Sequence, residues 1–153
     1  MPFLRSIARS FMLGGLLALV SAEASAAPAS VTTPRSFDEV VTRLEAAVER
    51  HGLVRVATAS ASRAAAARGI AIRGNAVILA FNNDFARRLL AASVPAGIEA
   101  PMRLYVTEEA AGTAITYPLP SELLAPYGGP ELAALGHELD ALFAAIVADA
   151  TAP

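Results

Sequence analysis

Apolar positions along the chain follow two different periods, and the switches between them mark helices and strands. Ser36-Phe37-Asp38-Glu39 has the form of a capping box, in which a hydroxyl and a carboxylate satisfy the free amides of a helix start. Phe37, Val40, Val41, Leu44 and Val48 follow at helical spacing, Glu39 and Arg43 pair on the polar side, and Gly52 suits the residue just past the helix end. Residues 53–58 switch to period two through Val54 and Val56, which predicts a strand. The alanine-rich stretch 62–68 predicts a short helix closed by Gly69.

Gly74-Asn75 is turn chemistry, and the apolar run 76–81 has strand length, so a central strand covered on both faces is expected there. Asn82 and Asn83 end it, and either can cap a helix beginning near Asp84 with Phe85, Leu89 and Ala92 facing inward. Pro95 and Gly97 close that helix. Residues 103–108 and 113–117 alternate like two strands joined through Glu109-Ala110-Ala111-Gly112 as a hairpin. Pro118 and Pro120 stop strand pairing, and Pro126-Tyr127-Gly128-Gly129 reads as a linker. From Pro130, a residue tolerated in a first helical turn, a stripe of Leu132, Leu135, Leu139, Leu142, Phe143 and Ile146 predicts a long final helix. This order predicts a two-layer α+β domain over 36–150, with helices on one face of a largely antiparallel sheet.

The start of the chain has a different character. Arg5 and Arg9 precede a short apolar run from Phe11 to Val20, and Ala24-Ser25-Ala26 offers small residues for a signal peptidase. The run falls short of the roughly 20 apolar residues that span a bilayer, so residues 1–26 are read as a cleaved export signal and the mature chain as periplasmic or secreted; the alternative is an uncleaved anchor, with Ile7 and Ala8 lengthening the apolar stretch. Membrane contact is then confined to the signal before cleavage, and 27–35 is read as a flexible lead-in. The 153-residue chain has no cysteine, which removes disulfides, thiol chemistry and thiolate metal sites. All basic charge is arginine. Beyond residue 26 there are 10 arginines against 13 acids, a net charge of −3, and no basic stripe directs the chain to nucleic acid.

The chain from Val77 to Gly128 resembles the bacterial and archaeal domain-of-unknown-function family 302. The residues that carry the resemblance are Phe81-Asn82-Asn83-Asp84, Leu89-Leu90, Pro95, Pro101-Met102, Glu108-Glu109, Gly112, Tyr117, Pro120 and Tyr127-Gly128. The first and last helices extend it over essentially the whole mature chain. Two departures stand out: Asn82 and Asp84 replace the glycine and proline usual after the central strand, and Ser60-Ala61 stands where the family has an Asp-His pair. The resemblance implies an α+β fold and a homodimer, and it transfers no catalytic residue.

The candidate chemistry is sparse. His51 and His137 are the two histidines, without metal-ligand spacing, so no metal, haem or other cofactor is expected. His51 suits a helix C-terminus, and His137 can meet Asp140 on a solvated helix face. Glu108 and Glu109, adjacent on a strand, point to opposite faces and do not form a proton-sharing pair. No phosphate loop, dinucleotide fingerprint or Gly-x-Ser-x-Gly is present. Two polar groupings remain as candidate ligand-binding residues. Asn82, Asn83 and Asp84 sit at a strand end beside a helix start, where they can cap the helix or orient a ligand. Arg103, Tyr105 and Tyr117 lie on the hairpin strands and can border a pocket. The expectation is a non-enzymatic domain binding a small ligand or a periplasmic protein. The alternative is an enzyme or sensor built on the asparagine cluster.

Overall fold

The computed structural model describes residues 27–153, so the export reading of 1–26 lies outside the described residues. Five strands form one antiparallel sheet: β1 (Ala29–Thr33), β2 (Val54–Ala59), β3 (Asn75–Phe81), β4 (Met102–Glu109) and β5 (Gly112–Tyr117), in spatial order β1-β5-β4-β3-β2. The helices are α1 (Phe37–Arg50), α2 (Ala61–Ala66), α3 (Asn83–Ala92), α4 (Pro120–Leu124) and α5 (Pro130–Thr151), with 3-10 turns at Pro95–Glu99 and Ala125–Tyr127. The fold is α+β, with α1, α3 and α5 on one face of the sheet. Among the described residues no helix is long and apolar enough to cross a membrane.

The core lies between that face and the helices. Ile78, Leu104, Val106 and Ile115 project from the strands onto Val40, Val41, Leu44 and Val48 of α1 and onto Leu139, Phe143 and Ile146 of α5. Tyr117 packs its ring 5.8 Å from that of Phe143. Burying each of these large side chains contributes about 1.5–3 kcal/mol, so this single apolar layer dominates the stability of the domain.

Several local expectations are corrected. The 27–35 segment is not a loose lead-in: Ala29–Thr33 pairs with β5 from Ala29↔Tyr117 to Thr33↔Thr113, and Arg35 then donates to the Glu39 carboxylate. Ser36 caps α1 by accepting from the Glu39 amide at 3.4 Å, but the Glu39 side chain turns to Arg35 instead of closing the box. Arg43 does not pair with Glu39. It donates to the carbonyls of Ala150 and Ala152 at 2.9 and 2.7 Å, supplying charge where the α5 dipole is negative and its last carbonyls lack helical partners.

The apolar run of β3 is covered on one face only. Ala76, Ile78 and Ala80 are buried under the helices, while Val77, Leu79 and Phe81 face the open side, half-buried by neighbouring side chains. Val54 and Val56 of β2 are 61% and 53% exposed, because a bulge between Arg55 and Ala57 breaks the alternation and the helix-facing positions are polar. Arg55 meets Glu49 at 3.7 Å, and Thr58 donates to Glu45. The proline-rich connection 118–129, read as stop and linker, is largely helical. Pro120 begins α4, which packs so closely on α5 that a Cβ on Gly136 would lie 2.6 Å from the Ser121 Cα.

Candidate functional site

The two polar groupings end up in different surroundings. Asn82 is the N-cap of α3: its Oδ1 accepts from the Asp84 and Phe85 amides at 2.9 and 3.2 Å, and its Nδ2 donates to the Gly52 carbonyl at 2.9 Å. Both polar atoms of this amide are directed at the backbone. Asn83 and Asp84 are exposed on the first turn, with no side-chain hydrogen bond among the described residues. Beneath them lies a narrow apolar cavity of about 30 Å³, bordered by Leu53, Phe85, Leu89, Met102 and Phe143, a space of the order of one or two waters.

Arg103, Tyr105 and Tyr117 converge on a surface cleft of about 360 Å³ where β4, β5 and the start of α4 meet. Arg103 and Tyr105 project from the open face of β4, two residues apart, and Thr116 stands opposite Tyr105 on β5. Tyr105 is 43% exposed. Tyr117 borders the cleft at the end of β5, but its ring is turned to the opposite face of the sheet, into the core against Phe143. Burial pushes its phenol pKa up, and the nearby Asp140 carboxylate adds to the shift, so it stays a neutral group at ordinary pH. Pro118 and Leu119 carry the chain off β5 into α4, whose first turns place Glu122 and Leu123 on the far wall. Ala27 and Pro28 border the same opening.

Sequence reasoning therefore separated residues that the fold also separates, but it missed most of the cleft lining. Thr116, Leu119, Glu122 and Leu123 fell in or beside the segment read as a proline stop. The available signal was Pro120 followed by Ser121-Glu122-Leu123-Leu124, a helix start with an acid in its first turn. Elsewhere the side chains have structural partners. Glu108 accepts from the Gly74 amide at 2.7 Å, whereas Glu109 accepts from Thr107 at 3.1 Å, so the two carboxylates serve different contacts. His51 caps α1 with Nε2 3.4 Å from Asp149, and His137 lies 3.5 Å from Asp140. Among the described residues no group of three metal-ligating side chains is assembled.

A family model described as "Domain of unknown function DUF302" matches residues 29–150. The chain belongs to the DUF302 family. The crystal structure of an uncharacterized conserved DUF302 protein from Bacillus stearothermophilus superposes with a TM-score of 0.72 at 22% identity, over 81% of this chain and 97% of that one. At that identity the likeness concerns the fold. Among curated proteins none matches the chain. The DUF302 match begins at the first residue of β1, which is consistent with that strand being an integral edge of the domain.

Proposed function

We propose that this DUF302 protein is an exported, non-enzymatic domain that binds a small ligand in the cleft between β4, β5 and α4 and works as a homodimer. The observation that carries the ligand reading is the convergence of Arg103, Tyr105, Thr116 and Glu122 on one opening of about 360 Å³. Ligand clefts are typically apolar with a few convergent polar groups, and this opening has that composition in Leu119, Leu123 and Pro118 beside two charges. The asparagine cluster is less suited to an enzymatic or sensing role, since Asn82 is committed to capping α3.

The homodimer reading draws on the sheet's open face. Val54, Val77, Leu79 and Tyr105 lie there with no helix over them, and the charged residues among the outward positions of β3 and β4 are Arg103 and, at the far end of β4, Glu109. Five strands about 4.8 Å apart and about 20 Å long present roughly 500 Å² per protomer, so two copies stacked face to face bury about 1,000 Å², the lower bound for a specific interface. The isologous contact would also roof the cleft at the end of the same face. Native mass spectrometry of the protein purified after export tests both parts. A dimer carrying a small copurifying mass supports the proposal, whereas a bare monomer at high micromolar concentration contradicts it.

A further inference from the structure

Among the described residues, the two charges that flank the cleft have no partners. Arg35, Arg43, Arg50, Arg55, Arg63 and Arg88 each hold a carboxylate or a backbone carbonyl. Arg103 makes no such contact among the described residues, and neither does Glu122. Both border one cleft, yet no Arg103 nitrogen comes within 4.0 Å of a Glu122 oxygen. Opposite charges that face a common space without meeting are complementary to a molecule carrying both signs. Between them the walls are apolar and aromatic, formed by Leu119, Leu123 and Tyr105.

We infer that the cleft takes a small zwitterion with an apolar body, its carboxylate on Arg103 and its ammonium on Glu122. The inference rests on the ligand-binding reading of this cleft and supplies the chemical class of the ligand. A guanidinium offers paired donors that match a carboxylate in two-point geometry, and a carboxylate accepts from an ammonium. The apolar body would lie along Leu119 and Leu123, where it is removed from water. A groove between α3 and α5 also holds an unpaired arginine and acid, Arg87 and Glu131, but its remaining lining is alanine with Leu135 and the already paired Arg88. That groove has two cations to one anion and no aromatic or hydroxyl group, so it lacks the balanced lining of the cleft.

The test is a calorimetric titration with four probes, accompanied by amide chemical shifts to locate binding: L-leucine, 6-aminohexanoate, N-acetyl-L-leucine and L-leucinamide. At least one of the two zwitterions is expected to bind about tenfold or more tightly than the two singly charged probes, since each loses one charge-assisted contact. Glu122→Gln should collapse the gap to N-acetyl-L-leucine while keeping the gap to leucinamide, and Arg103→Gln should do the reverse. A merely structural role for either residue would move all four affinities together. N-acetyl-L-leucine or leucinamide binding the cleft as tightly as both zwitterions overturns the zwitterion inference and leaves the ligand-binding reading standing. If no probe shifts the cleft amides and no small mass copurifies with the protein, both fail.

Discussion

Asn82 at the end of β3 and the charged pair at the cleft beside β5 are all polar, yet the fold uses them differently. At the β3 end, Asn82 gives both of its polar atoms to the backbone, holding the start of α3 and the Gly52 carbonyl together. At the cleft, Arg103 and Glu122 hold nothing within the described residues and line a shared opening. Polar density in a sequence therefore marks two different things: groups consumed by folding and groups left without a partner among the described residues. Only the second kind has bonding capacity to offer a ligand, since a satisfied amide must break one bond to make another.

The largest effect expected from disturbing this contrast comes from the wall of the cleft. Gly136→Ala would put a Cβ 2.6 Å from the Ser121 backbone, and neither helix can yield locally, so α4 must move away from α5. Overpacking of this kind costs about 1–3 kcal/mol. Thermal unfolding should show that loss, and chemical shifts should show Glu122 displaced while the Asn82 region is unchanged. Next is Asn82→Ala, which removes a cap serving two amides together with the bond to Gly52. A loss of about 2 kcal/mol is expected in urea unfolding, with no change in binding at the cleft.

Acid should reveal a smaller contribution from charges the fold has consumed. The hydrogen bond and charge of Arg50, with His51 adding, hold the Asp149 carboxyl below its ordinary range, and Arg88 does the same to Glu138. A carboxylate whose pKa is depressed on folding contributes stability that is complete above its unfolded value, about 4, and is lost as pH falls through the folded value. Stability measured from pH 6 downward should decline across that window. The Asp149→Asn variant should decline less steeply, and an unchanged slope would show that its partners contribute nothing in solution.

Much of the framework was readable from the sequence because it rests on local signals. The stripe beginning at Phe37 and the one beginning at Leu132 specify α1 and α5 through residues a few positions apart, and Gly112, at φ 140°, fits the tight β4–β5 connection where an added Cβ would strike the Thr33 carbonyl. What escaped was non-local. Ala29–Thr33 is short and polar on average, and only its register with β5, far along the chain from Ala29↔Tyr117 to Thr33↔Thr113, makes it a strand. Arg43 looked like a partner for Glu39 one turn away, but the free carbonyls at the end of α5 compete better for a guanidinium. The run 76–81 is apolar on both sides of β3, and no local pattern distinguishes a strand covered twice from one whose second face carries no helix. Glu122 was hidden for a similar reason, since its importance comes from facing Arg103 across a gap that exists only after α4 docks on α5.

Urea unfolding of the Arg103→Ala/Glu122→Gln double variant beside the unmodified protein tests the contrast most directly. Exposed groups with no partners contribute little to folding, so the two curves should coincide to within about 0.5 kcal/mol. A loss of about 1 kcal/mol or more would mean that these charges are already engaged in holding the domain together, and the cleft would then have no spare capacity for a ligand.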